Sequence, residues 1–255
     1  MGKKCHGFSR GYLLQQGQPA PTLGSRYAPG KLGTEVSLLT LLLQPFFPSK
    51  ALLPASDIKG NLDNIKFRHG SVDFPNYNFK PIQDGLIHFE WGTDGAIECQ
   101  QLYSTGLVYH ADDVLGQNQQ HGKRIYLDRV AVNLFMFLKG SSNFYSLLGY
   151  QGSLIGYMEL KDINGARLKR LVPNGYRGGL FWENENEIPL MNEYVWKIDI
   201  DTSLLKDGLA LQSYFINFIK EIYWGLGYED VDEKLLKAFL KDQGWLIEDP
   251  ANSTP

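Results

Sequence analysis

The feature that most constrains the fold is a long amphipathic pattern that ends on a glycine and turns directly into a strand-like segment. Apart from one gap, apolar residues recur at steps of three or four over residues 124–148, which predicts a helix with one buried face: Leu127, Val130, Leu134, Leu138, Tyr145 and Leu148. Gly149 follows, and glycine readily adopts the left-handed conformation common at helix ends. Residues 153–160 then read as a strand, so we expect a helix packed on a sheet.

Strand-like runs precede this helix. Residues 86–91 and 96–103 flank a four-residue turn that contains Asp94-Gly95, and residues 107–110 follow a second turn. This pattern predicts a three-stranded meander. The apolar run over residues 36–43 is short and ends before Pro45, which favours a buried strand over a helix.

The C-terminal part combines one more strand with helices. Alternation over residues 194–201 predicts a half-buried strand. Residues 211–222 carry an apolar stripe whose neighbouring aromatic residues, Trp224 included, we expect in the core, and residues 230–233 are typical of a cap for a last helix. Residues 164–165 (Asn-Gly) favour a tight turn. The sequence therefore predicts an α+β fold, a mainly antiparallel sheet with helices packed on one face.

The domain boundaries follow from composition. Residues 1–34 are rich in Gly, Pro and Gln, and we expect a disordered N-terminal extension there. Residues 35–245 are predicted to form a single α+β domain, and residues 246–255 a flexible tail. Residues 48–81, 116–122 and 173–190 read mostly as loops.

Charge and cysteine content narrow the function classes. Residues 1–34 hold five Lys/Arg and no acidic residue, so the remainder has 20 basic against 28 acidic residues. This acidic balance disfavours broad, charge-driven binding to nucleic acid. Cys5 and Cys99 have no second thiol at metal-ligand spacing, and we expect a cytoplasmic protein. No run reaches the roughly 20 apolar residues that a membrane span needs, so we expect no membrane partner.

Motifs that carry chemistry are weak in this chain. Residues 7–11 match G-x-S-x-G but do not follow a strand, which that nucleophile turn requires. The five histidines are scattered without metal-ligand spacing: His6, His69, His88, His110 and His121. We therefore predict no catalytic residues, no metal site and no cofactor.

Two residue groups nevertheless offer alternatives. Carboxylates and imidazoles of the predicted meander would serve a nucleotide-acting hydrolase if they converged: His88, His110, Asp112 and Asp113. A basic cluster over residues 161–177 would suit contact with a ligand or with nucleic acid, against the alternative of a solvated edge strand defended by charge: Lys161, Arg167, Lys169, Arg170 and Arg177.

Several segments resemble the C-terminal region of bacterial Schlafen/AlbA-type DNA-binding regulators, a group that includes ATP-binding and helix-turn-helix proteins. They are residues 77–87, with Tyr-Asn-Phe-Lys-Pro and Asp-Gly-Leu-Ile; 101–106, Gln-Leu-Tyr-Ser-Thr-Gly; 144–152, Phe-Tyr-Ser-Leu-Leu-Gly-Tyr-Gln-Gly; and 219–228. The resemblance implies that the AlbA-like domain with the family's nucleotide- and nucleic-acid-binding residues would lie N-terminal to this region. None of those residues carries over to the positions here.

The resemblance and the lack of catalytic motifs lead to one expectation about function. We expect a non-enzymatic sensing or interaction domain of a bacterial transcriptional regulator or defence-related protein, with a protein partner or a small ligand. The alternatives are the meander hydrolase and a nucleic-acid-binding accessory domain that uses the basic cluster.

Overall fold

The computed structural model describes eleven stretches, all within the unit Ser37–Pro255: residues 38–46, 50–69, 72–76, 78–91, 97–113, 115–118, 122–169, 172–173, 180–181, 191–228 and 231–247. The predicted disordered extension, most of the predicted C-terminal tail and most of the predicted loop over residues 173–190 lie outside these stretches.

Fourteen strands lie in the described residues. In chain order they are β1 (Leu38–Pro45), β2 (Phe67–His69), β3 (Val72–Phe74), β4 (Lys80–Ile82), β5 (Gly85–Trp91), β6 (Ile97–Tyr103), β7 (Val108–Asp113), β8 (Leu115–Asn118), β9 (Gly122–Tyr126), β10 (Ser153–Lys161), β11 (Arg167–Lys169), β12 (Val172–Pro173), β13 (Leu180–Phe181) and β14 (Glu193–Asp201).

Seven of these strands form the main sheet, in the order β14-β10-β1-β7-β6-β5-β4. Every neighbouring pair in this sheet is antiparallel. A separate three-stranded sheet has the order β11-β9-β8, in which β11 runs parallel to β9. The pairs β2–β3 and β12–β13 complete the strand pairing of the described residues.

The described helices are α1 (Ala55–Gly60), α2 (Leu62–Ile65), α3 (Leu127–Leu147), α4 (Thr202–Lys206), α5 (Gly208–Gly225) and α6 (Glu233–Asp242). Buried residues of these helices and of one face of the main sheet share a single apolar core. The predicted α+β class, with a mainly antiparallel sheet and helices packed on it, is confirmed.

Strand β1 lies in the middle of the main sheet, as expected from its apolar run. Leu39, Leu41 and Leu43 are fully buried in the core shared with the helices. Leu42, on the alternate face, is also fully buried. A strand buried on both faces needs a continuous apolar sequence, which is the pattern found here.

The long helix α3 begins three residues later than predicted because residues 122–126 pair as strand β9. It continues through Gly140, where a Cβ atom would lie only 2.2 Å from Cδ1 of Phe74. Glycine at this position therefore permits close packing of β3 on the helix. After the helix, Gly149 has φ of +64°, the left-handed conformation that the sequence indicated.

Aspartates cap the three C-terminal helices. Asp201, Asp207 and Asp232 each accept hydrogen bonds from backbone N–H groups of the first turns of α4, α5 and α6. Side-chain caps of this kind satisfy N–H groups that have no partner within the helix. The predicted cap of the last helix is confirmed at Asp232.

Some predictions over the connecting regions were wrong. Residues 48–81 are not mostly loop, since α1, α2 and β2–β4 lie there and bury apolar residues such as Ile58 and Phe74. These elements are too short for their periodicity to be recognised. Residues 116–122 are not all loop, because most of β8 and the start of β9 occupy them. Trp224 is 67% exposed rather than part of the core.

The turn at Asn164-Gly165 is present, and Gly165 has φ of +72°. The turn does not close a simple hairpin, since the strand that follows it, β11, pairs with β9 and not with β10. Within the described residues, no helix combines the length and the apolar character needed to cross a membrane.

Candidate functional site

Six polar side chains lie together on the helix-covered face of strands β5, β6 and β7. We call them the meander cluster: His88, Glu90, Glu98, Gln100, His110 and Asp112. Backbone pairing places His88 opposite Gln100 and Gln100 opposite His110, which forms an inner row. The outer row lies two residues away on each strand and is formed in the same way by Glu90, Glu98 and Asp112. Because residues two apart on a strand share a face, both rows face the helices.

Helix α3 and strand β3 cover this part of the sheet. Arg129 and Asn133 of α3 reach Asp112, and the ring of Phe74 lies edge-on to His110 with centroids 5.6 Å apart. The ring of Phe79 lies 6.0 Å from that of His88. The inner row is therefore closed over by apolar rings.

The carboxylate of Asp112 is held by two residues of α3. Arg129 donates from Nε to Oδ2 at 3.1 Å and from Nη2 to Oδ1 at 3.0 Å. Asn133 donates from Nδ2 to Oδ2 at 2.6 Å. A bidentate guanidinium and an amide donor compensate a buried carboxylate well. Asp112 is thus a fixed, charge-compensated member of the cluster.

Gln100 links the two rows through a defined amide orientation. Its Oε1 accepts from the backbone N–H of Asn76 at 2.9 Å, and its Nε2 donates to Oε1 of Glu98 at 2.7 Å. The first bond fixes which end of the amide faces the carboxylate. Gln100 therefore orients Glu98.

Burial raises the pKa of Glu98, and the nearby carboxylates of Asp112 and Glu90 raise it further, against the opposing effects of His110 and Gln100. The two ends of the outer row lie in different surroundings: Arg129 pairs with Asp112, while the side chain of Glu90 is 64% exposed.

The two imidazoles are buried without hydrogen-bond partners among the described residues. His88 is 3% and His110 is 4% exposed, and neither ring nitrogen of either residue meets hydrogen-bond geometry with any of the described residues. Leaving a buried polar group unpaired typically costs about 1–3 kcal/mol. Such groups in a folded protein require an explanation.

Burial is the main cause that lowers the pKa of both imidazoles. The backbone of Asn78 and the carboxylate of Glu90 oppose this shift at His88. At His110, the opposing groups are first Asp112 and Glu98 and then the side chain of Asn133, whereas Arg129 adds to the lowering. The lowered pKa values favour neutral rings, whose lone pairs are available to a ligand.

Three members of the cluster can approach one atom. One donor atom each from His88, Glu90 and Glu98 lies within 4.8 Å of the other two. The distance from His88 Nε2 to Glu90 Oε2 is 3.7 Å. An imidazole and two carboxylates form a donor set that first-row divalent metals accept.

The structure brings together three of the four residues of the hydrolase alternative. His88, His110 and Asp112 lie on the same face, whereas Asp113 follows Asp112 directly and lies on the opposite face. Sequence reasoning missed Glu90, Glu98, Gln100, Arg129 and Asn133 because they come from different elements. Alternation within 86–91 and 97–103 does place His88 with Glu90 and Glu98 with Gln100, and the pairing of these strands was the missing step.

The predicted basic cluster is dispersed where it is described. Lys161 ends β10 and pairs with Glu159 at 2.8 Å and with Glu193 at 4.0 Å, while Arg167 begins β11 of the other sheet. The backbone of Lys169 lies in β11. Arg170 and Arg177 lie outside the described residues. The proposed role of this cluster stays a prediction.

Comparisons of this chain with protein-family models, with curated proteins and with solved structures find no match.

Proposed function

We propose that this chain is a ligand-sensing domain of a bacterial regulator or defence-related protein, and that the meander cluster is its ligand-binding site. The observation that carries the proposal is the pair of buried imidazoles, His88 and His110, whose ring nitrogens have no hydrogen-bond partner among the described residues. The resemblance to Schlafen/AlbA-type regulators supports the regulatory context.

The meander cluster combines fixed polar groups with an apolar cover. At one end the Glu90 side chain is 64% exposed, and at the other the ring of Phe74 lies against His110. Small-ligand sites combine an apolar enclosure with a few polar groups at fixed positions. Gln100 and Asp112 are fixed by hydrogen bonds, and the imidazoles retain their capacity to bond.

The test is a search for a bound metabolite. The full chain is incubated with a protein-free, low-molecular-weight extract of bacterial cells, separated from unbound molecules, denatured and analysed by mass spectrometry. We expect at least one small molecule to be enriched by the wild-type chain and lost with His110→Leu, because the substitution removes both ring nitrogens.

The matched control is Gln101→Leu, a similar polar-to-apolar change on the same meander but on the opposite face. Gln101 is buried, and it accepts a hydrogen bond from the Tyr103 hydroxyl at 2.8 Å. This variant should retain the enriched molecule. Identical profiles for the wild-type chain and His110→Leu would contradict the proposal.

A second candidate function is hydrolysis of nucleotides at the same cluster. It is favoured by the convergence of His88, His110 and Asp112 on one face. It predicts phosphate release from ATP or GTP by the wild-type chain that His110→Leu abolishes. A wild-type chain that retains a metabolite without converting it would favour sensing over catalysis.

A further inference from the structure

We propose that His88, Glu90 and Glu98 bind a first-row divalent metal ion, with Zn²⁺ as the representative ion. This inference rests on the proposed function and deepens it, because the ion would be the part of the ligand site that faces solvent. The two remaining inner residues, Gln100 and His110, would then lie beside the ion.

The three donor groups lie close enough together to share one ion. The three donor atoms lie within 4.8 Å of one another, and His88 Nε2 and Glu90 Oε2 are 3.7 Å apart. Two ligands of a tetrahedral zinc ion, each about 2.1 Å from the metal, are separated by about 3.4 Å. Small side-chain rotations therefore suffice to close the three donors on one ion.

The His88 imidazole is a buried donor directed at this position. His88 is only 3% exposed, and neither of its ring nitrogens is hydrogen-bonded to a described residue. Its Nε2 points towards Glu90.

The carboxylates of Glu90 and Glu98 have no cationic side chain beside them among the described residues. Along the outer row, Arg129 compensates only Asp112, and no Lys or Arg of the described residues forms an ion pair with Glu90 or Glu98. Adjacent carboxylates opposite each other on neighbouring strands repel. A divalent cation would offset both charges at once.

The surroundings resemble those of metal ligands in proteins. Gln100 donates to Glu98 at 2.7 Å and so fixes one carboxylate. Partners of this kind orient metal ligands and set their basicity. Gln100 is accordingly a positioning residue of the site.

The donor set also selects the class of metal. Imidazole suits Zn²⁺, Cu²⁺, Ni²⁺ and Fe²⁺, whereas sites for Mg²⁺ and Ca²⁺ use oxygen ligands. Three protein ligands leave at least one coordination position for water or for a donor of the ligand. The site is thus suited to hold a ligand through the ion.

The experiment is isothermal titration of the full, chelator-treated chain with ZnCl₂, and with MgCl₂ for comparison. We expect the wild-type chain to bind one Zn²⁺ ion and to give no measurable heat with Mg²⁺. The affinity for Zn²⁺ should be at least about tenfold weaker in Glu90→Gln and in Glu98→Gln than in the wild type. Glu90→Gln is the primary variant because the Glu90 side chain is largely exposed and the fold tolerates its change.

Two controls separate this site from others. Glu221→Gln changes an exposed glutamate of α5 and should bind Zn²⁺ as the wild type does. Cys5→Ser/His6→Ala removes the one place in the sequence where Cys and His are adjacent, and it should also bind normally. Circular dichroism checks the fold of each variant.

Two results would overturn the metal site: no Zn²⁺ binding by the folded wild-type chain, or equal affinity in the wild type and Glu90→Gln. The metabolite search distinguishes this failure from that of the proposed function. A metabolite retained by chelator-treated wild type and lost in His110→Leu would preserve the sensing role without the ion.

Discussion

The carboxylate of Asp112 shows how single residues hold the cluster in place. It receives three hydrogen bonds, all from α3, and the shortest comes from Asn133 at 2.6 Å. Helix α3 therefore sets the position of the end of β7. Loss of one of these donors affects both the stability of the fold and the charge balance of the outer row.

We predict that Asn133→Ala lowers the free energy of unfolding by about 2 kcal/mol, since a hydrogen bond to a charged group contributes about 1.5–3 kcal/mol. The matched control is Asn143→Ala on the same helix, where the side chain donates to the neutral carbonyl of Ile65 at 3.1 Å. For Asn143→Ala, the free energy of unfolding should fall by only about 1 kcal/mol. Urea unfolding of the two variants measures the difference, and equal losses would contradict a charged role for Asp112.

Asp128, in the first turn of α3, gives the protein a defined pH dependence. Burial raises its pKa from 3.8 to about 6, against the opposing effect of Arg129. The folded state thus binds a proton more tightly than the unfolded state, so this group's contribution favours folding below pH 4 and is progressively lost as the pH rises towards 6.

We predict that Asp128→Asn removes this loss and stabilises the fold by about 1–3 kcal/mol at neutral pH, because a shift of one pKa unit corresponds to about 1.4 kcal/mol. Below pH 4 the variant and the wild type should have the same stability. Thermal unfolding across this pH range measures the effect. A stability difference that did not change with pH would contradict it.

At the scale of elements, the contact between β3 and α3 positions the cover of the site. Phe74 packs on Gly140, on Phe137 and on the ring of His110. The close approach at Gly140 leaves no room for a side chain. The cover of the inner row therefore depends on a glycine in the middle of a helix, where glycine alone is unfavourable.

We predict that Gly140→Ala destabilises the fold by about 1–3 kcal/mol, the usual cost of an overpacked core. Its Cβ would lie 2.2 Å from Cδ1 of Phe74 and 3.0 Å from the carbonyl oxygen of the same residue. Gly60→Ala is the control, because no atom lies within 4 Å of the added Cβ. That variant should be unchanged or slightly more stable in urea unfolding. A stable Gly140→Ala would mean that β3 can move away.

The elements that the sequence predicted well are those with long, regular patterns. The periodicity from Leu127 to Leu148 and the alternation around Trp196 each report a local preference that tertiary packing did not override. The short elements before β4 have too few residues for such a pattern. Residues 124–126 of strand β9 were read as the start of the helix because they directly precede its regular apolar pattern.

The candidate site was predictable only in part. Alternation assigns His88 and Glu90 to one face of their strand, but the pairing of three strands decides which residues are opposite one another. The contributions of Arg129 and Asn133 depend on how α3 lies over the sheet. Metal-ligand spacing along the sequence cannot reveal donors that come from two strands.

At the scale of the molecule, the helix-covered face of the main sheet divides into a polar and an apolar part. The inner row of the cluster continues across β1, β10 and β14 as Leu41, Met158 and Trp196. The outer row continues as Leu39, Leu160 and Tyr194. The change from polar to apolar falls between β7 and β1, so the polar residues are confined to one side of an otherwise ordinary core.

Asp112 is tied into the fold by α3, whereas His88 and His110 have no hydrogen-bond partner among the described residues, so we expect these two imidazoles to serve binding rather than folding. The claim is tested most directly by the unfolding free energy of His110→Leu. Removing two unpaired ring nitrogens from the core should stabilise the chain by about 1–2 kcal/mol. Gln101→Leu breaks a satisfied hydrogen bond to Tyr103 on the opposite face and should destabilise it by about 1 kcal/mol.

Urea unfolding of these two variants beside the wild type gives both values in one experiment. We predict changes of opposite sign, with His110→Leu more stable and Gln101→Leu less stable than the wild type. A His110→Leu variant that lost stability to the same extent as Gln101→Leu would show that His110 serves the fold, and it would contradict the assignment of the cluster as a binding site.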